Sequence, residues 1–293
     1  MRAASLFDFL CLLEKLYCVK QKLFFYTFLL FPFFTFAQQA EQNYPAQLSL
    51  QLGYQNHRTL AKNTSPLLYV SNNLSIGLAL EKQKNRSLRN LQLSVSLGSN
   101  QAKGIGRRSA VIYDPYDISG NRDSSVYDVN PLLSFAQISL QHEKLWSISA
   151  QQPVYAGIRI EDRFTYAGMG ADTWFYNQLS IGPSFQVNVL NLDKSQLIAR
   201  LSIPLAAYIL NQPYTLDPSL PETSYFKAFL KTGSSFKTLN EFQQVNVLLS
   251  YRIDLASGKQ TGLNYQFMWM NDQQFPERNL RAYSNSISLF YQF

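Results

Sequence analysis

Cysteine is the first scarcity. The sequence of 293 residues has two, Cys11 and Cys18, and both fall in a stretch that reads below as dispensable leader. The rest of the chain therefore offers no disulfide framework and no thiolate metal site. Histidine is as rare, with His57 and His142 the whole supply, which leaves little for histidine catalysis or a histidine metal cluster. Charged residues make up only 15% of the chain, and no basic cluster of the kind that tracks a phosphate backbone is present. Nucleic acid is thereby excluded as a partner. After residue 37 no apolar run reaches about 20 residues, which excludes a helical membrane protein.

What is present begins with an export signal. Lys20 and Lys22 precede an apolar run from Leu23 to Phe36, and Ala37 follows. A basic segment, a short apolar segment and a small residue at the cut form a secretory signal peptide, with Thr35 and Ala37 at positions −3 and −1. Residues 1–37 are expected to be removed, and residues 1–19, redundant for export, read as an over-long start. No cysteine sits at the cut, so a lipid anchor is not expected. Of the net charge of +7, +2 belongs to this leader and +5 to the 256 residues that remain of 293 after the first 37.

Those residues alternate. Leu48, Leu50, Leu52 and Tyr54 are interleaved with Gln47, Ser49, Gln51 and Gly53; Leu74, Ile76, Leu78 and Leu80 with Asn73, Ser75, Gly77 and Ala79. Period two puts successive side chains on opposite faces of a strand, one greasy and one wet. The pattern recurs around 91–98, 136–143, 154–163, 179–189, 197–209, 244–254, 263–269 and 283–293, and less cleanly over Tyr225–Gly233. A wall with lipid outside and water inside requires this alternation. The expectation is an all-β, antiparallel, up-and-down transmembrane β-barrel over residues 38–293, a single domain.

Eleven segments are visible, and single-chain bacterial barrels use even numbers. At about 21 residues per strand and connection the length favours about twelve strands, within ten to fourteen. The missing strand would lie at Arg108–Tyr113 or Leu145–Ile148. Pro204 inside a segment calls for an edge or a bulge. Residues 101–130 and 211–222 are dense in turn formers and read as long loops. Tyr54, Tyr69, Trp146, Trp174, Phe175, Tyr176, Tyr251, Trp269, Tyr283 and Tyr291 lie near segment ends, as interfacial girdles would place them.

Chemistry is thin. His142 is followed by Glu143 and Lys144, and Ser139 lies on the opposite strand face, so no nucleophile–base pair forms there; His57 reads as a loop residue beside Arg58. Arg159, Glu161, Arg163, Arg200, Arg252 and Asp254 share the inward parity. Inward charges either tune a pore or tie the interior together. The Asp- and Tyr-rich loop from Tyr113 to Asp128 lacks calcium-loop spacing. No catalytic residue, cofactor or metal is expected.

The last residues carry a further pattern. Leu289, Tyr291 and Phe293 alternate to the C-terminus, and this ending resembles the C-terminal assembly signal of bacterial outer-membrane β-barrels. With the Phe36, Ala37, Gln38, Gln39 junction and the Gln/Asn/Tyr-rich strands, the chain resembles uncharacterised outer-membrane barrels of Bacteroidota. The resemblance implies outer-membrane location, insertion by the barrel-assembly machinery and contact with outer-membrane lipid, and names no substrate. Barrel subunits of the gliding and type IX secretion apparatus carry Asn-Pro-Ala-Tyr-Ala-Gly near the mature N-terminus. Here only Pro153, Val154, Tyr155, Ala156 and Gly157 echo it, far downstream. A narrow channel for a small solute, or a structural barrel binding an extracellular ligand, is the expected role. A lipid-acting enzyme or a secretion subunit is the alternative.

Overall fold

The computed structural model describes residues 46–62, 65–84, 86–105, 109–113, 124–128, 132–149, 153–169, 172–211, 233–273 and 279–293. The leader and residues 225–232, nearly all of the least clean segment, lie outside the described residues. Fourteen strands occur among them: β1 (Gln47–Ala61), β2 (Leu68–Lys84), β3 (Ser87–Ala102), β4 (Ser109–Tyr113), β5 (Ser124–Asp128), β6 (Leu133–Ser147), β7 (Val154–Met169), β8 (Asp172–Leu192), β9 (Ser195–Ser202), β10 (Ala206–Asn211), β11 (Ser234–Thr238), β12 (Phe242–Asp254), β13 (Gln260–Gln273) and β14 (Asn279–Gln292).

The alternation decides the arrangement. Asn73 is 1% exposed and its neighbour Leu74 is 72% exposed, the reverse of a soluble protein's preference. Leu48, Leu50 and Leu52 on β1, Leu78 and Leu80 on β2 and Leu91 and Leu93 on β3 are likewise exposed, while Ser49, Gln55, Ser71 and Ser96 are buried. A sheet that buries its polar face must curl around it and close. It does: β1 pairs with both β2 and β14, all antiparallel, so the sheet has no free edge on that side.

The ring has ten staves among the described residues, fewer than the twelve favoured on length. β9 and β10 form one stave along β8, and β11 and β12 form the next, interrupted by a turn at 239–241. The candidate extra strands resolve differently. Ser109–Tyr113 pairs only with β5, as a separate two-stranded hairpin in the connection from β3 to β6. Leu145–Ser147 is simply the end of β6. Length overestimated the count because several strands run 14 to 17 residues, well beyond the roughly 9–11 needed to cross a bilayer.

Pro204 lies at a bulge. Ile203 donates its N–H to Pro183 O at 3.2 Å and Leu205 to Ile181 O at 2.9 Å, and Ala206 is then registered against the same Ile181. One extra residue is absorbed there, which flips the inward parity from even numbers in β9 to odd numbers in β10. Gly182 makes room: a Cβ at that position would stand 2.2 Å from Ile203 O and 2.5 Å from Pro204 Cα.

The ends differ. Ala61, Leu68, Ala102, Leu133, Met169, Asp172, Asn211, Ser234, Gln273 and Asn279 end their strands at one end of the staves; Gln47, Lys84, Ser87, Ser147, Val154, Leu192, Ser195, Asp254, Gln260 and Gln292 end theirs at the other. The strand ends joined by the two longest stretches of sequence, Ala102 to Leu133 and Asn211 to Ser234, therefore share an end, opposite Gln47 and Gln292.

Candidate functional site

The lumen is the concave face the fold creates, and its polar side chains occur in layers. Nearest the barrel termini, Arg252 on β12 donates to both carboxylate oxygens of Glu81 on β2, each at 3.0 Å. Asp254, two residues nearer that rim, is half-buried and accepts a hydrogen bond from Gln260 at 2.7 Å. Farther in, Arg200 on β9 pairs with Glu143 on β6 at 2.6 Å and bonds Gln186 through Nε at 3.0 Å. On β7, Arg159 pairs with Glu161 at 2.9 Å, and Arg163 pairs with the other oxygen of the same carboxylate. Side chains at i and i+2 share a strand face, which is why three charges so close in sequence converge.

The six inward charges thus occupy three separate groupings rather than one. Arg159, Glu161 and Arg163 belong together, whereas Arg200 and Arg252 are each held by a carboxylate, Glu143 and Glu81, that sequence reasoning left out. Lys237 on β11 with Asp272 on β13 forms a further buried pair, bonded also by Tyr176 at 3.1 Å. Inward parity marked the arginines on their three strands but left out Glu81, Glu143, Lys237 and Asp272. Only the ring's register says which meets which.

Toward the long connections the lumen turns largely apolar. Ala61, Tyr69, Ala102, Phe135, Ala167, Tyr176, Ile209, Phe242, Met268 and Leu280, one from each of the ten staves, form a single cluster with Trp174, Ala207, Met270 and Ala282. No member is more than 6% exposed. This disc draws on every stave, and the Lys237–Asp272 pair is set into it, Asp272 being registered against the disc members Phe242 and Leu280. Three aromatics read above as girdle residues, Tyr69, Trp174 and Tyr176, belong to the disc and point inward; Tyr54, Tyr251, Trp269 and Tyr291 point outward. The sequence signal for the disc was available: apolar residues on lumen parity at one end of the strands, such as Phe135, Phe242 and Met268. Alternation averaged over whole strands hides it.

His57 is not in a loop. It faces inward on β1, buried, with its ring 5.2 Å from that of Phe135. His142 faces outward on β6, and Ser139 faces inward and bonds Glu161 at 3.3 Å. The two stand on opposite sides of the wall. Among the described residues no cluster of three His, Cys, Asp or Glu residues could hold a metal ion.

Across the lumen from the β7 triad, β1, β2, β3, β13 and β14 present mostly serine and glutamine. Their small side chains leave two cavities of about 60 Å³ each. Leu289, Tyr291 and Phe293 lie outside, on the exposed face of β14, with the Tyr291 and Phe293 rings 5.0 Å apart edge to face. Lys259 stands over both rings, at 5.6 and 5.9 Å.

No family model matches the chain, and no curated protein sequence is similar to it. Among solved structures, the fold is similar to the outer-membrane protease OmpT of Escherichia coli, at 10% identity and TM-score 0.48 over 87% of this chain and 98% of that one. It is also similar to the beta domain of the Bordetella autotransporter BrkA, at 10% identity and TM-score 0.44 over 85% and 99%. An outer-membrane channel from Pseudomonas putida gives 10% and 0.39 over 88% and 100%.

Proposed function

We propose that this chain is an outer-membrane β-barrel with a shut lumen, a structural or binding barrel rather than a solute channel. The exposed leucine-rich exterior is the surface that lipid would cover. The long connections would face the cell exterior and the short ones, with both barrel termini, the periplasm. The apolar disc carries the closed reading. A hydrated ion crossing it would have to shed most of its water among alanine, phenylalanine and methionine side chains, past an Asp272 carboxylate already held by Lys237 and Tyr176.

The outer rim is then where the protein acts. Among the described residues, the β4–β5 hairpin is the part that would reach an extracellular ligand. No catalytic role is assigned. A lipid-acting enzyme would need His142 to meet a nucleophile, and Ser139 faces the other way.

Planar-bilayer recording of the refolded protein tests the reading. Wild type is expected to give no steady conductance over a range of salt concentrations; a reproducible open step would overturn it. Lipid hydrolysis by wild type that is lost in His142→Ala would reinstate the enzyme alternative.

A further inference from the structure

Two guanidinium groups, those of Arg159 and Arg163, share the single carboxylate of Glu161, whereas Arg200 with Glu143 and Arg252 with Glu81 pair one to one. The triad therefore carries one uncompensated positive charge. Arginine cannot shed its proton to relieve it, and an uncompensated buried charge is costly. Arg163 is 6% exposed, and its Nη1 has no hydrogen-bond partner among the described residues.

That guanidinium lines a cavity of about 60 Å³, whose far wall carries Ser284, Ser286 and Ser288, the successive inward residues of the final strand. Ser94, Ser96 and Gln137 line it too. Serine hydroxyls and glutamine amides can turn donors toward a negative charge. The volume suits a few water molecules or one small anion. Six residues, among them Gln51, Gln92 and Ser286, also line the second cavity, which reaches Arg252 and Gln292 near the barrel termini. Entry is thus from the end opposite the apolar disc.

We propose that this cavity is a binding site for a single small monovalent anion, of the size of chloride or formate, held by Arg163 and the serine wall. Its occupant would neutralise the triad.

The test compares refolded protein in detergent with sodium chloride, sodium formate or sodium gluconate at equal ionic strength and pH, gluconate being too large to enter. Thermal unfolding of wild type is expected about 5 °C higher in chloride and formate than in gluconate at saturation, and Arg163→Gln is expected to remove the difference. Equal unfolding temperatures in wild type, or a difference that persists in Arg163→Gln, would overturn the site. If Arg163→Gln does not refold, Ser286→Leu keeps the charge but fills the cavity; it too should abolish the difference, and a retained difference would sink the proposal. Crystals soaked in bromide should show an anomalous peak beside Arg163 Nη1, and a cavity without one counts against it.

Discussion

Arg252 and Glu81 are 171 residues apart in sequence and meet across the lumen in a two-pronged pair, both hydrogen bonds 3.0 Å long. The pair ties the β12 stave to the β2 stave, which are not neighbours in the sheet. Both side chains keep some solvent contact, at 17% and 19% exposure, so the ordinary cost of breaking a buried pair, about 3–5 kcal/mol, is discounted here to roughly 1–3 kcal/mol. Glu81→Gln is expected to lower unfolding stability by that amount in urea titrations of protein refolded into vesicles. Arg252→Met with Glu81→Met should recover most of it, because no charge is then left stranded. A double variant no better than the single one would show that the pair acts through something other than charge.

The disc yields a prediction of a different kind. Phe135 and Phe242 are its large members on β6 and β12, 3% and 0% exposed. Truncating both to alanine removes side chains worth about 3–5 kcal/mol each and opens a gap in the one apolar layer. The double variant is expected to unfold at lower denaturant and, in planar bilayers, to pass ions that wild type does not. Removing lumen charge alone, as in Arg200→Gln, should leave the bilayer silent. Conductance in Arg200→Gln but not in the phenylalanine variant would move the barrier from the disc to the charged layers.

On the outer face, Leu78 is 47% exposed and lies among Leu50, Leu80 and Leu93. Leu78→Arg would put a cation against lipid at a cost of about 2–4 kcal/mol if near the bilayer midplane. Reduced stability is expected in vesicles, most of it from the cation's contact with lipid, since the neighbours Leu50 and Leu93 share the same exposed outer face. Folding free energies of wild type and variant in the same lipid check it; equal values would mean this face does not meet hydrocarbon.

This last position shows why so much of the fold was legible in advance. Leu78 and Gly77 differ in polarity because they differ in solvent, and that contrast repeats along every stave, so wall, interior and inward charges could be read locally. What local reading could not supply was register. Glu143 was in view beside His142, yet its partner Arg200 sits on a stave 57 positions later and becomes a neighbour only once β7, β8 and β9 take their places. The stave count failed for a related reason. Long strands consume residues that an average spacing assigns to additional strands. The disc escaped because its apolar residues obey alternation but face the wrong way for a wet lumen.

The final strand joins the ring on both sides: Tyr291 is registered with Leu50 on β1 and with Thr261 on β13. Phe293 N–H still donates to Leu48 O at 2.8 Å, so the last residue closes the seam. Once the barrel is shut, the β14 backbone is fully paired and can no longer offer an edge. If Leu289, Tyr291 and Phe293 serve as an assembly address, they must be read before closure, while β14 is still unpaired. Deleting Phe293 is therefore expected to slow or reduce insertion in cells. The fraction that does insert should have near-normal stability, because only one backbone bond and one exposed ring are lost. Pulse-chase labelling followed by heat-modifiable gel mobility separates the two effects. Slow appearance of a folded band of normal heat resistance supports an address. A folded band that appears at the wild-type rate but melts early would make Phe293 a seam residue and nothing more.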